Sequence, residues 1–206
     1  MKILLINGSP NEKGCTYTGL MEIANELVKQ GAEYEVYQIG KSAHMPCVAC
    51  RACKKLGKCV INDDANELAE KIAGADGVVI GSPVYYASLN GNLKCLLDRT
   101  FFSNGAKFRY KPAAAIACAR RAGTTATLDE INKYFMITEM PVVSSQYWNM
   151  VHGAKPEDVQ KDEEGTQTMR VLARNMVWLI RSIQVARDNG VELPEREDRL
   201  WTNFVK

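Results

Sequence analysis

The chain begins Met1-Lys2-Ile3-Leu4-Leu5-Ile6-Asn7-Gly8-Ser9-Pro10, and this segment sets the expected fold class. Its apolar run ends in a glycine-containing turn, and continuous runs of this kind are typical of strands buried on both faces of a parallel sheet. An amphipathic helical pattern follows over residues 16–30 and is closed by Gly31. Strand, turn and helix together predict the first unit of an α/β domain.

The same alternation continues along the chain. Further apolar runs lie at residues 34–37, 77–80, 113–117 and 142–144, and helical patterns lie around residues 63–73, 93–97, 128–135 and 169–189. Five strands with helices between them predict one doubly wound parallel-sheet domain over residues 1–190. In such sheets ligands bind beyond the carboxyl ends of the strands, so the segments after strands one, three and four are the candidate site.

Composition excludes several classes of protein. The 206 residues are 46% hydrophobic and 24% charged, which is typical of globular proteins. The net charge of +2 gives no indication of the basic stripe that non-specific DNA binding needs, and no apolar run reaches the ~18 residues of a membrane span. Seven cysteines, an odd number, without an apparent export signal argue against a disulfide framework. We therefore expect a cytoplasmic protein.

The loop after the first strand is rich in hydroxyl groups. Ser9, Thr16 and Thr18 and the first N–H groups of the helix can donate hydrogen bonds to an anion such as a phosphate. The segment is neither a P-loop nor a G-x-G-x-x-G dinucleotide fingerprint. The alternative is a plain turn in which Thr16 caps the helix.

The loops after the third and fourth strands carry aromatic, basic and small residues. Tyr85 and Tyr86 offer faces for a flat aromatic ring; the alternative is that they are core or interface aromatics. Gly123 permits close approach of a ligand, and Arg120 or Arg121 can neutralise a reduced ring or a phosphate. The alternative for both arginines is a solvated surface.

Residues 41–64 form a long connection without a helix or strand pattern, and they contain four clustered cysteines, Cys47, Cys50, Cys53 and Cys59. Thiolates at this spacing can converge on one [4Fe–4S] cluster. Zinc, which usually takes two separated cysteine pairs, and a set of free thiols are the alternatives. The surrounding cations offset the charge of a cluster and attract an acidic partner, or they form a solvated face: Arg51, Lys54, Lys55 and Lys58.

In combination these motifs carry a family resemblance. The motifs are Gly8-Ser9-Pro10, the Cys-x2-Cys-x2-Cys-x5-Cys run leading into Asp63-Asp64, Gly81-Ser82-Pro83-Val84-Tyr85, Leu93-Lys94 and Asp98-Arg99. Over residues 1–125 the chain resembles the NADPH-dependent FMN reductase family of flavodoxin-like proteins. Its compact cysteine motif is similar to that of the iron-sulfur flavoproteins.

This resemblance implies a flavodoxin-like sheet of order 2-1-3-4-5 with a cysteine-rich insertion after strand 2, bound FMN, and a homodimer or tetramer. The residues that the resemblance implies around the FMN phosphate are Ser9, Pro10, Thr16 and Thr18. The other residues of this loop that are expected to bind the cofactor are Asn11, Cys15 and Tyr17. Those implied around the isoalloxazine ring are Pro83, Val84, Tyr85 and Tyr86, and the loop residues Arg120 and Gly123 are expected to bind the cofactor as well. Lys94, Asp98 and Arg99 are expected on a helix surface or in a subunit contact.

Three functions follow as hypotheses. The first is an electron-transfer flavoprotein that relays electrons between a [4Fe–4S] cluster and FMN and exchanges them with a small molecule or a ferredoxin-like protein. On this reading no side chain acts as a nucleophile or general base. The second is an NAD(P)H-dependent FMN or quinone reductase without a cluster. The third is a zinc-holding, non-enzymatic protein of the same fold.

Two further expectations concern parts outside these motifs. Residues 191–206 form a C-terminal arm whose apolar side chains favour packing on a neighbouring subunit or at the flavin pocket. His44 and His152 have no neighbouring metal-ligand residues in the sequence and are interpreted as ordinary loop residues.

Overall fold

Strands and helices alternate along the chain in the computed structural model, which describes residues 1–198, 200–202 and 204. The strands are β1 (Lys2–Asn7), β2 (Glu33–Gln38), β3 (Gly77–Tyr85), β4 (Ser88–Leu89), β5 (Ala113–Ala119) and β6 (Met150–His152). The helices are α1 (Cys15–Lys29), α2 (Cys53–Leu56), α3 (Asp64–Gly74), α4 (Gly91–Asn104), α5 (Thr124–Ile137), α6 (Pro156–Lys161) and α7 (Glu163–Asp188). No helix among the described residues is long and apolar enough to cross a bilayer.

The sheet has the order β2-β1-β3-β5-β6, and all of these neighbours are parallel. This confirms the predicted flavodoxin-like order 2-1-3-4-5. The short β4 was not predicted; it pairs antiparallel with the end of β3. Ile3 to Ile6 of β1 are almost fully buried and pair with strands on both sides, which explains why this run has no polar alternation.

The position of the last strand differs from the prediction. Residues 142–144 make only one bridge, between Val142 and Ala113, whereas the paired strand is Met150–His152. Between the two contacts the chain leaves β5 and exposes Tyr147 and Trp148. Tertiary pairing, rather than local apolar pattern, therefore places the edge strand.

Helices cover both faces of the sheet. On one face α1 and α7 bury side chains that include Leu20, Leu27 and Leu172. On the other face α3, α4 and α5 contribute residues such as Leu68 and Leu96. Two cores around one parallel sheet are the doubly wound arrangement that the sequence predicts, and they leave the carboxyl ends of the strands for a ligand.

Two segments lie outside this layered arrangement. The cysteine-rich connection follows β2, as predicted, and its one regular element is the short α2. The described part of the C-terminal arm contains neither helix nor strand and exposes Leu200 and Trp201. Arg196 and Trp201 line a groove beside α4 and α5 of the same chain. Part of the arm, residues 199, 203, 205 and 206, lies outside the described residues.

Gly8 provides a stability test of the predicted turn. A Cβ atom there would overlap the Leu93 side chain and lie 2.6 Å from the Gly81 carbonyl oxygen, which is backbone and cannot rotate away. We expect Gly8→Ala to lower the free energy of unfolding by about 1–3 kcal/mol, measured by urea denaturation. Gly74→Ala is the control, because its Cβ meets nothing within 4 Å. Equal stabilities of the two variants would contradict this account.

Candidate functional site

Three loops meet at the carboxyl edge of the sheet. The Gly8 N–H donates to the Gly81 carbonyl oxygen at 2.8 Å, which joins the first loop to β3. A Cβ added at Gly123, whose φ is +92°, would lie 2.8 Å from Val84 Cγ1, so the loop after β5 packs on the end of β3. The three predicted segments therefore form one continuous edge.

Hydrogen bonds from the side chains of Asn7 and Gln38 fix the backbone of the first loop. Asn7 is completely buried, and its Nδ2 donates to the carbonyl oxygens of Asn11 and Glu12 and, at 2.5 Å, to Gln38 Oε1. The Ser9 N–H donates back to Asn7 Oδ1, and Gln38 Nε2 donates to the Ser9 carbonyl oxygen at 2.7 Å. Sequence reasoning missed Asn7 and Gln38. The available signal was a polar residue directly at the end of an apolar strand.

The N-terminus of α1 is open to an anion. The helix begins at Cys15 after Gly14, so the alternative that Thr16 is its cap is wrong. No side chain of the described residues caps this helix, in contrast to Asp63 on α3 and Asn90 on α4. Its first N–H groups are the donors that a helix offers to a phosphate.

The hydroxyl groups of the first loop have different environments. Ser9 Oγ is buried and accepts a hydrogen bond from the Asn11 N–H at 3.1 Å, so its own proton remains for a ligand as far as the described residues show. Thr16 is buried beside Gly81. Thr18 Oγ1 instead donates to the Gly14 carbonyl oxygen at 3.2 Å and supports the helix. Pro10 and Tyr17 are partly buried and Asn11 is exposed.

The loop after β3 is a tight hairpin that presents two tyrosines. Tyr86 and Ala87 have φ values of 51° and 57°, a conformation that costs non-glycine residues free energy and is concentrated at functional sites. Tyr86 is fully exposed and Tyr85 is 45% exposed, so neither is a core aromatic of this chain. The Glu130 carboxylate accepts hydrogen bonds from the Ser88 hydroxyl and the Leu89 N–H and fixes the hairpin. The neighbouring Arg120 and Arg121 are exposed.

Two thiols lie behind the first and third loops. Burial raises the pKa of Cys118 to about 12, and burial also raises the pKa of Cys15, which contacts it. Burial therefore favours the protonated thiol form of both side chains near pH 7.

The four clustered cysteines line one cavity. Its walls contain Cys47, Cys50, Cys53 and Cys59 together with apolar side chains that include Val48, Val60, Ile61 and Phe102. Ala49 and Arg51, on either side of Cys50, have left-handed φ values of 52° and 59°. Among the described residues, no three His, Cys, Asp or Glu side chains are grouped closely enough to hold a single metal ion. The four cysteines therefore line one cavity, but no three of them are grouped around a single ion position.

Arg99 lies beneath this cavity, not on a helix surface as expected. Only 2% of it is exposed. Its Nη1 and Nη2 donate to the two carboxylate oxygens of Asp63 at 2.7 and 2.5 Å, and its Nε donates to the Met45 carbonyl oxygen at 2.8 Å. Nη1 also lies 3.7 Å from Cys59 Sγ. Burial acts to raise the pKa of Asp63, but the hydrogen bonds from Arg99 and from the Ala65 N–H, together with the Arg99 charge, outweigh it and hold that pKa below its usual value.

Lys94 and Asp98 do lie on the exposed side of α4, as expected. The Lys94 ammonium group is 3.1 Å from Asp98 Oδ1, which also accepts a hydrogen bond from the Tyr134 hydroxyl.

His44 is also not an ordinary loop residue. It is buried, its Nε2 lies 2.8 Å from Asp64 Oδ2, and its Nδ1 lies 3.0 Å from Asn92 Oδ1. That amide oxygen also accepts the His44 N–H at 2.7 Å, while Asn92 Nδ2 donates to the Ser42 carbonyl oxygen. His44 therefore attaches the start of the cysteine loop to α3 and α4. His152 is a half-buried residue at the end of β6.

Comparison with known proteins agrees with the family expected from the motifs. The family model for NADPH-dependent FMN reductase matches residues 1–155. An iron-sulfur flavoprotein of Methanocaldococcus jannaschii is 33% identical over 192 residues, which are 89% of this chain and 100% of that protein. An iron-sulfur flavoprotein of Methanosarcina thermophila is 32% identical over 193 residues, covering 91% of this chain and 100% of the relative.

Solved structures share the fold at lower identity. A flavone reductase superposes with a TM-score of 0.71 at 16% identity, covering 89% of this chain and 64% of the other. The FerB NAD(P)H:(acceptor) oxidoreductase of Paracoccus denitrificans gives 0.63 at 17%, covering 88% and 97%. A WrbA-like flavodoxin of Agrobacterium tumefaciens gives 0.59 at 14%, covering 88% and 97%. With the family match over most of its length, the chain belongs to the NADPH-dependent FMN reductase family and is a flavin-dependent oxidoreductase.

Proposed function

We propose that this protein is an electron-transfer flavoprotein that relays electrons between FMN at the sheet edge and a [4Fe–4S] cluster held by Cys47, Cys50, Cys53 and Cys59. The observation that carries the proposal is the single cavity that all four thiols line. The names of the relatives point to the same pair of cofactors.

The donor set suits a cluster better than zinc. Four thiols are the ligands of a [4Fe–4S] cluster, and here the four cysteines line one cavity together with apolar side chains, Arg51, Arg99 and Ser103. Zinc usually takes two separated cysteine pairs, whereas these four cysteines lie in one compact run from Cys47 to Cys59. Left-handed residues lie on both sides of Cys50, so the loop turns sharply there.

The residues of the sheet edge are suited to hold FMN. The uncapped start of α1, with Ser9 and Thr16, would bind the phosphate, and Pro10, Asn11, Cys15, Tyr17 and Thr18 surround that position in the chain. Pro83 and Val84, the exposed Tyr85 and Tyr86, Gly123 and Arg120 would flank the ring. Bound FMN supplies one- and two-electron transfer, and the protein orients it.

The surface around the cysteines favours a negatively charged redox partner. Cys47 and Cys50 are exposed, so the cavity opens to solvent. The cations around them are exposed as well: Arg51, Lys54, Lys55 and Lys58. These exposed positive charges would attract an acidic one-electron carrier, for example a ferredoxin-like protein. Free thiols on an open surface fit a reducing compartment, and we place the protein in the cytoplasm.

An NAD(P)H-dependent reductase of FMN or quinones without a cluster is the second candidate. It is favoured by the family match over residues 1–155 and by the exposed Arg120 and Arg121 at the sheet edge, which would bind a nucleotide phosphate. Protein purified without oxygen distinguishes the two. Flavin bands over a broad iron-sulfur absorbance, with iron and sulfide in the protein, support the relay. Flavin bands alone support the reductase.

Cys53→Ser tests whether the two cofactors are separate. Cys53 lines the cysteine cavity and is not one of the candidate flavin-binding residues. We expect the variant to keep its flavin absorbance, lose most of its iron and stop reducing a one-electron acceptor protein, because iron loses one of four thiolates. Iron assay and visible spectroscopy are the measurements.

Cys95→Ser is the matched control for this variant, because Cys95 lies on α4 outside the cavity. Its iron content should equal that of the original protein. Full iron and activity in Cys53→Ser would refute the cluster assignment. Loss of FMN from the same variant would place the loop of residues 41–64 in the flavin pocket.

We further propose that the chain forms a homodimer or tetramer through its C-terminal arm. The arm exposes Leu193, Leu200 and Phe204, more apolar surface than an isolated tail retains without reason. Deleting residues 191–206 should shift the protein to a smaller species in sedimentation or light scattering, or weaken FMN binding. An unchanged assembly with unchanged FMN affinity would exclude this role.

A further inference from the structure

We propose that Arg99 is a positioning residue for the iron-sulfur cluster: it fixes Cys59 and keeps a positive charge beside the cluster that raises its reduction potential. The inference rests on the proposed function, in which Cys59 is a cluster ligand. Its basis is the buried guanidinium group, for which the flavin site has no use.

The contacts of Arg99 reach three points of the cysteine segment from one helix. Its Nη1 and Nη2 donate hydrogen bonds to the two carboxylate oxygens of Asp63, and its Nε donates to the Met45 carbonyl oxygen. Its Nη1 also lies 3.7 Å from Cys59 Sγ. Met45 precedes the four cysteines in the chain, and Asp63 follows them. A lysine cannot reproduce this planar set of donors, so the geometry is specific for arginine.

The charge of Arg99 is screened less than that of the other cations around the loop. Arg51, Lys54, Lys55 and Lys58 are exposed to water, whereas the Arg99 side chain is 1% exposed. A charge in a low-dielectric interior acts more strongly on its neighbours than one at the surface. The Arg99–Asp63 pair is also oriented, because the guanidinium group reaches the Cys59 sulfur while it holds the carboxylate.

This orientation has a definite electrostatic sign. Reduction of a cluster adds one electron and no other group, so the reduced form is more negative by one charge. A nearby positive charge stabilises the reduced form, and charge and hydrogen bonds to the sulfurs are among the factors that set cluster potentials. Removing Arg99 should therefore lower the potential, and removing the charge of Asp63 should raise it.

The experiment compares Arg99→Gln, Asp63→Asn and Arg99→Lys as complete proteins purified without oxygen. Asparagine is as good a helix cap as aspartate, so Asp63→Asn retains the cap on α3. Arg174→Gln is the matched control, because it removes a guanidinium group from the buried Glu26 carboxylate on the other face of the sheet. Iron and sulfide are assayed, and a redox titration followed by electron paramagnetic resonance gives the cluster potential.

We expect the reduction equilibrium to shift at least about tenfold against reduction in Arg99→Gln, which corresponds to about 59 mV for one electron. Asp63→Asn should shift it in the opposite direction. Arg99→Lys should keep a potential close to the original, because the positive charge remains. It should release iron faster to a chelator, because lysine cannot make the same set of hydrogen bonds to Asp63 and Met45. Arg174→Gln should match the original in both measurements.

Opposite shifts in Arg99→Gln and Asp63→Asn cannot arise from loosening of the loop, which would affect both variants alike. Shifts of the same sign, or no shift in either variant, overturn the inference. If Arg99→Gln takes up no iron, Asp63→Asn decides, and an unchanged potential there overturns it. An original protein that contains no iron refutes the proposed function itself, and this inference falls with it.

Discussion

The rest of the structure depends on one constraint: β1 is an inner strand that pairs in parallel with a neighbour on each side. Since β2 and β3 both pair with it, the chain leaving β1 can pass only over the carboxyl end of the sheet. Gly8 makes that passage possible by letting backbone touch backbone at Gly81. Asn7 then supplies the hydrogen bonds that the turning loop would otherwise lack, and a buried polar group without a partner costs about 1–3 kcal/mol. The shape of the candidate phosphate loop thus follows from the way the central strand is packed.

The cysteine segment is held in place by different forces. Its apolar side chains, among them Val48 and Leu56, are more than half exposed, so it has little core of its own. Polar contacts attach it instead, through Arg99 with Asp63 and through His44 with Asn92. Breaking a buried ion pair by removing one partner costs about 3–5 kcal/mol, whereas an exposed pair contributes little. A few buried polar groups can therefore position a loop that the hydrophobic effect does not.

How much of this was visible in the sequence depends on the range of the interactions involved. The central strands and most helices follow from local periodicity, because continuous apolar runs and helical stripes report burial directly. The edge strand β6 does not, since Met150–His152 has no pattern of its own and is placed by pairing with β5. Arg99 and His44 were misassigned for the same reason. Their partners lie 36 and 48 positions away in the chain, and charge or polarity alone suggested a surface. The four cysteines lie within one short segment, so their common position beside one cavity follows from local spacing.

Helix α4 connects the two candidate cofactor sites. It begins directly after the hairpin that presents Tyr85 and Tyr86, and its first turn holds His44 through Asn92. Arg99 lies two turns further on, about 10 Å along the helix axis, beneath the cysteine cavity. Because the buried face of α4 is packed against the sheet through Leu93, Leu96 and Leu97, the helix cannot shift at one end alone. The flavin loops and the cysteine loop are therefore separate in sequence and in their ligands, yet both are positioned by one rigid element. That arrangement would keep the proposed flavin and cluster sites at a fixed separation while allowing each site to be altered independently.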